Sequence, residues 1–259
     1  MIIDTNVNLS RWPFRRLAGD ETPDLVARLR KRNVVQAWAG SFDGLLHKDV
    51  GGVNARLAAD CRMHGTGFLV PFGSINPKLP GWQEDLRRCH EDYKMPGIRL
   101  HPNYHGYGVA DPVFAELLHL AAARQLLVQL VLSMEDIRTQ HPLVRVPPLD
   151  VSALPRLLEK EPTLRLMLLN WTPTLRGPQV KPFVDAGTVC FDIATVEGIE
   201  GIARLVERVP LERVVFGSYF PFFIFEAALL KMKESGLPED QQKAVFEGNA
   251  RRILARTTV

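Results

Sequence analysis

Short apolar runs of strand character alternate with helix-period segments along the whole chain. The first run, "MIIDTNV", is followed by Leu25, Leu29 and Arg32 at helical spacing, and then by a second run, "VVQAWAGS". A helix over about 53–63 leads to "GFLVPFGSI", an amphipathic stretch over 82–93 leads to "GIRLHP", and a helix over 112–124 leads to "LLVQLVL". The alternation resumes with a helix over 154–159 before "LRLMLLN", one over 179–186 before "TVCFDIAT", and one over 199–208 before "RVVFGS". Two further helices, over 225–235 and 239–246, close the pattern. Such alternation predicts a parallel sheet covered by helices. Eight units within 259 residues predict a closed (β/α)8 barrel with an extra C-terminal helix. No glycine-rich turn follows the first run, so an open dinucleotide-binding sheet loses its main support. No repeat or composition break divides the chain, and residues 1–259 read as one domain. Residues 133–150 are too many for an ordinary βα loop and form the best candidate for a functional loop.

In a barrel of this kind the site lies at the C-terminal ends of the strands, and residues two apart share a strand face. Asp4, Asn6 and Asn8 share a face of the first strand, and Arg99 and His101 share a face of the fourth, with Ile98 and Leu100 directed at the helices. Gln129 interrupts the fifth run, Asn170 ends the sixth, Asp192 lies in the seventh, and Tyr219 follows the eighth. Burying so many polar groups near the axis costs several kcal/mol unless they pair with each other, water or a ligand. A pocket is the economical explanation.

Charge and composition narrow the field. The formal charge of +3 over the whole chain is too small for a protein that reads phosphate backbones, so no nucleic-acid partner is expected. The longest apolar stretch, over 117–132, is broken by His119, Arg124, Gln125 and Gln129, so no membrane span is expected. The N-terminus lacks a basic segment followed by an apolar run, and Cys61, Cys89 and Cys190 are few and far apart. Both point to a cytoplasmic protein with reduced thiols. There is no Gly-x-Ser-x-Gly elbow, and the cysteines make no case for a nucleophile. His47, His64, His90 and His119 fall away from the strand ends and read as surface or packing residues.

Four segments in order carry a family resemblance: "IIDTNVN" in the first strand, "GIRLHP" in the fourth, "VVFGSYFPF" at the eighth, and "EGNARRIL" in the terminal helix. Together they resemble the amidohydrolase superfamily, in its amidohydrolase-related branch typified by aminocarboxymuconate-semialdehyde decarboxylase. That resemblance implies a barrel enzyme that hydrolyses or decarboxylates small, often aromatic-derived acids with a bound metal, and it implies a homodimer. The family's first two metal ligands fall at Asn6 and Asn8, its fifth-strand histidine near Gln129 or Val131, its sixth-strand histidine near Asn170, and its eighth-strand aspartate at Tyr219. Neutral amides supply no charge and little donor strength, so no zinc and no other cofactor is expected at the usual place. A hard cation held by asparagine oxygens with Asp4 or Asp192 is the remaining metal option.

Each position then has two readings. Asn6, Asn8, Gln129 and Asn170, with Asp192, either bind substrate or fill space left by lost ligands. His101 is either a general acid–base or a hydrogen-bonded structural histidine. Arg99 either clamps a substrate carboxylate or forms a buried pair with Asp4 or Asp192. Tyr219 donates to a developing oxyanion or simply packs. Tyr104, with His105 and Tyr107, lines a pocket or belongs to a turn, and Trp171 walls a pocket or packs the rim. Glu135, Asp136, Arg138, Gln140 and His141 form a catalytic lid or an ion-paired loop anchor. Two functions follow. One is a metal-independent hydrolase acting on a small anionic lactone, amide or related acid, with His101, Arg99 and Tyr219 as its catalytic residues. The other is a non-catalytic protein whose pocket binds a small carboxylate or a protein partner.

Overall fold

Eight parallel strands follow one another in sequence order around a barrel, in a computed structural model that describes residues 1–186 and 189–255. The strands are β1 (Ile2–Leu9), β2 (Val34–Ser41), β3 (Leu69–Ser74), β4 (Gly97–Leu100), β5 (Leu127–Val131), β6 (Arg165–Leu169), β7 (Val189–Asp192) and β8 (Val214–Val215). Thr188, the first residue of the seventh predicted run, lies outside the described residues. The ring closes where the Thr5 amide donates to the Phe216 carbonyl and the Asn8 amide to the Phe220 carbonyl, both at 3.0 Å. The chain is thus the (β/α)8 barrel that its alternating pattern predicts.

Helices α1 (Thr22–Lys31), α2 (Val50–Gly65), α3 (Trp82–Glu91), α4 (Pro102–His105) and α5 (Pro112–Ala123) cover the first half of the barrel. Helices α6 (Leu154–Lys160), α7 (Lys181–Asp185), α8 (Gly201–Val206), α9 (Phe225–Glu234), α10 (Glu239–Lys243) and α11 (Asn249–Ala255) cover the second. Their starts are written in the sequence: Pro23, Pro112, Pro155 and Pro182 sit in first turns, where a missing N–H costs nothing. The α2 cap is Asp49, whose carboxylate accepts from the Gly52 amide at 2.8 Å.

Two segments depart from the expected pattern. The eighth run keeps only two strand residues, because the Phe216 amide leaves the ladder and donates to the Val245 carbonyl at 3.0 Å. Val245 lies in a π-turn, 244–248, that joins α10 to α11, so the expected closing helix and the "EGNARRIL" helix are one segment braced against β8 and β1.

The core has two shells. The outer one lies between strands and helices and takes Val7, Leu29, Ile98, Leu100, Leu117, Val128, Leu166 and Phe191. The inner one fills the barrel with Ile3, Trp38, Phe72, Leu127, Met167, Cys190 and Val215, and Trp38 stacks on Phe72 with centroids 5.4 Å apart. The lumen below the strand tips is therefore packed rather than open, as the fold requires.

Candidate functional site

A layer of polar side chains lies above that inner core, and each is at most 2% exposed: Asp4, Asn6, Asn8, Arg99, His101, Gln129, Asn170 and Asp192. Arg99 is its hub. Its Nε donates to Gln129 Oε1 at 2.8 Å, Nη1 donates to the Val7 carbonyl at 2.7 Å and to Asn8 Oδ1 at 2.9 Å, and Nη2 donates to the carbonyls of Trp38 at 3.0 Å and Thr5 at 3.4 Å. All five donors of the guanidinium are used, and every acceptor is neutral. Space for it exists because residue 40 is glycine: a Cβ there would stand 2.8 Å from Arg99 Cδ and Nη1. Burial pulls the Arg99 pKa down to about 10 against the opposing fields of Asp4 and Asp192. Arg99 meets neither expectation directly. Its fork is not free for a substrate carboxylate, and its contacts are amides and carbonyls rather than an ion pair.

The second half of the layer is a ring of mutual hydrogen bonds. Asn6 Nδ2 donates to Asn170 Oδ1 at 2.9 Å and to Asp192 Oδ2 at 2.7 Å, while the Asn170 amide donates to Asp192 Oδ1 at 3.1 Å. Asn170 Nδ2 continues to the Ser133 carbonyl at 2.9 Å. Asp4 accepts from the Ser218 hydroxyl and, at 2.9 Å and 3.1 Å, from the amides of Ser218 and Asn6. Burial raises the Asp4 pKa to about 6 and the Asp192 pKa to about 7, in spite of these donors. Asn170 sits at φ 50°, a left-handed conformation that asparagine tolerates better than most residues.

These side chains do not fit the divalent cation that the family resemblance implies. At the centre of the positions expected to carry ligands stands the Asn6 amide nitrogen, a hydrogen-bond donor, facing the oxygens of Asn170 and Asp192. Asn8 Oδ1 is taken by Arg99, and the Tyr219 hydroxyl donates to the Met134 carbonyl at 2.6 Å. Among the described residues no group of three or more His, Cys, Asp or Glu side chains is gathered to hold a metal ion. The N–H donors of Asn6 and Arg99 point at the oxygens of Asn170, Asp192 and Asn8 that a cation would need.

Tyr219 closes the layer from above. It is 1% exposed, stacks on Phe222 at 4.9 Å and meets Phe223 edge-on at 5.2 Å. Trp12, on the loop after β1, adds edge contacts with Phe14, Phe42 and Phe222 at 5.1 to 5.6 Å. Over this aromatic roof lies a cavity of about 1070 Å³, bounded by the loops after β4 to β8. Tyr104, Trp171 and Tyr219 line it. Asn6, Asn8, Arg99, His101, Gln129, Asn170 and Asp192 do not, so the structure divides the expected site residues into a sealed interior set and an accessible set. Trp171 does both jobs considered for it: it walls the cavity, and its Nε1 donates to the Asp192 carbonyl at 2.8 Å.

His101 belongs to the interior set. Its Nδ1 is buried without a hydrogen-bond partner, its ring lies 6.2 Å from that of His105, and burial holds its pKa well below the ordinary histidine value. It is not among the residues that line the mouth cavity. His105 Nε2 bonds the Gly44 carbonyl at 2.8 Å, and Tyr107 is buried against Phe114.

The long segment 133–150 has no helix or strand and forms one side of the cavity. It is tied down by His141 stacked on Phe14 at 5.1 Å and by Glu135, 3.8 Å from Arg15, while Asp136 and Arg138 pair within it. Glu135 is the residue whose weight the sequence pattern missed. Its side chain is only 4% exposed, on the cavity lining beside Tyr104 and Tyr219, and burial pushes its pKa up while Arg15 pulls it down. Its field raises the pKa of both tyrosines, after burial itself. A carboxylate in the long loop, four residues beyond the end of β5, is the only signal that marked it. Arg176, Arg204 and Arg208, also on the lining, carried no signal at all.

Comparison with known proteins agrees with the barrel. The 5-carboxyvanillate decarboxylase from Sphingomonas paucimobilis superposes with a TM-score of 0.75 at 13% identity, covering 98% of each chain. The 2,6-dihydroxybenzoate decarboxylase from Rhizobium gives 0.71 at 14% identity, covering 97% of this chain and 99% of that one. A dihydroxybenzoic acid decarboxylase from Polaromonas sp. JS666, solved with bound manganese and 2-nitroresorcinol, gives 0.71 at 12% identity, covering 99% and 98%. No curated protein matches the sequence. The amidohydrolase family model matches residues 9–256. With its barrel, its terminal helix and nearly its whole length accounted for, the chain belongs to the amidohydrolase family.

Proposed function

We propose that this protein binds a small organic acid in the mouth cavity without carrying out the divalent-metal chemistry of its relatives. The observation that carries this reading is the closure of the polar layer. Every side chain at the positions expected to carry ligands is committed to a neighbour, beneath a roof made by Tyr219 and Phe222. What remains accessible is a cavity with an aromatic side (Tyr104, Trp171, Tyr219) and several arginines, which suits an anionic ligand with a flat or apolar body. The relatives named above as decarboxylases act on aromatic carboxylates, and benzoate-type acids are the first probes to try.

A second reading, a metal-independent hydrolase of a lactone, amide or related acid, is favoured by one observation. Glu135 is a buried carboxyl with a raised pKa beside two tyrosines on the cavity lining, where it can serve as a general base. In that reading Glu135 takes the proton of a water that attacks the carbonyl carbon, Tyr104 donates to the developing oxyanion, and Glu135 returns the proton to the leaving oxygen or nitrogen as its bond to that carbon breaks. Titrating purified protein with benzoate-type acids, lactones and amides while following melting temperature and ligand concentration separates the two. Saturable stabilisation with no ligand consumed is expected. Turnover that vanishes in Glu135→Gln establishes the hydrolase instead, and the absence of any binding defeats both.

A further inference from the structure

Arg176 lies on the segment after β6, Arg204 on α8 and Arg208 just beyond it, and all three line the same cavity. Among the described residues none of the three guanidinium groups forms an ion pair, whereas Arg138 on the opposite loop is matched by Asp136 and Arg15 stands 3.8 Å from Glu135. Glu197 is the acid on their side of the cavity, and its field also acts on Lys231. Two positive charges are thus left on one wall after Glu197 is counted. A carboxylate carries a single charge and is satisfied by one guanidinium fork. A phosphate monoester carries about −1.5 to −2 near neutral pH and offers three terminal oxygens, which suits three forks around one group.

We propose that the ligand of this cavity is a phosphate monoester with an aromatic or apolar body. Arg176, Arg204 and Arg208 hold the phosphate, and the body lies against Trp171, Tyr219 and Phe222. This rests on the cavity being a ligand site, and it narrows the acid proposed above to a phosphate.

The test is titration calorimetry on the full chain with phenyl phosphate, benzoate and inorganic phosphate at fixed ionic strength, on the parent protein and on Arg176→Gln and Arg204→Gln/Arg208→Gln. The three arginines are surface-exposed, so the variants should keep the parent's melting temperature. Phenyl phosphate should bind at least about tenfold more tightly than benzoate, and the double variant should weaken it about a hundredfold. Inorganic phosphate should bind at least about tenfold more weakly than the ester, for lack of a body to stack. Equal affinity for the ion and the ester overturns the ester assignment. If benzoate binds and phenyl phosphate does not, or if the arginine variants leave phosphate affinity unchanged, the phosphate proposal falls while the cavity remains an acid site. If none of the probes binds, the ligand-site reading falls with it.

Discussion

Arg99 and Gln129 stand opposite each other on β4 and β5, and the guanidinium Nε donates to the amide oxygen at 2.8 Å. That bond is one of five that turn Arg99 into a plug for the upper barrel. Replacing Arg99 by Met strips a donor from five buried acceptors; the Thr5 carbonyl keeps the Gln129 amide at 2.9 Å, and an acceptor left unpaired costs about 1–3 kcal/mol. We expect a loss of at least about 3 kcal/mol in urea denaturation, allowing for relaxation around the smaller side chain. Lysine, with three donors and no fork, should recover less than half of it. Wild-type stability in Arg99→Met would show that the layer does not depend on its hub.

The same layer sets a pH dependence. Asp4 and Asp192 have folded pKa values raised from 3.8 to about 6 and about 7, so the folded state holds their protons more tightly than the unfolded chain does. Their favourable contribution is complete below about pH 4 and is lost as pH rises through 6 and 7, at a cost on the order of 3 kcal/mol for Asp4 and about 4 kcal/mol for Asp192. Asp20 acts oppositely. Its pKa is lowered to about 2 by hydrogen bonding to Arg16, so its contribution is present above about pH 4 and fades only as pH falls through about 2. The buried His101 and His105, with lowered pKa values, act in the opposite sense as pH rises towards 6.5, so the carboxyls are read by difference: from pH 5 to pH 8 the denaturation midpoint of Asp192→Asn should fall less, or rise more, than that of the parent. Parallel midpoint curves for the two proteins would contradict a protonated Asp192 in the folded state.

Metal removal should leave the protein unmoved. Dialysis against a chelator, followed by reloading with manganese or zinc, is expected to shift the melting temperature by less than about 2 °C, since a ligand that binds only the folded state would raise it. Stoichiometric metal in the purified protein, with a matching loss of stability on chelation, would overturn the donor assignment around Asn6.

Tyr219→Phe removes one hydroxyl and nothing else of the ring stack with Phe222. The Met134 carbonyl loses its 2.6 Å donor, which should cost about 1 kcal/mol and loosen the start of the 133–150 segment. Limited proteolysis should cut that segment faster in the variant. An unchanged cutting rate would mean that the roof is held by ring packing alone.

Much of the barrel was legible because side-chain period and turn chemistry are local. Arg99 and His101 on one face of β4, with Ile98 and Leu100 facing the helices, follow directly from the alternation. The β8 strand was overestimated because what ends it, the Val245 carbonyl taking the Phe216 amide, lies about thirty residues away. The site was only half legible. The sequence places Asn6, Asn170 and Asp192 at strand ends, but not that the Asn6 amide would face the other two and satisfy them. Nor does any periodicity reveal that Glu135 would be buried under Arg15, or that Arg176, Arg204 and Arg208 would share a wall, since loop conformation decides both.

Because the polar layer is closed on itself, holding the barrel together asks nothing of whatever the mouth receives. A scaffold freed from its guest in this way tolerates drift in the rim: residues along 133–150, around Arg176 and on α8 can be exchanged to suit a new visitor while the strands beneath keep their shape. The layer is a keystone for the strands, and its permanence leaves the rim free to vary.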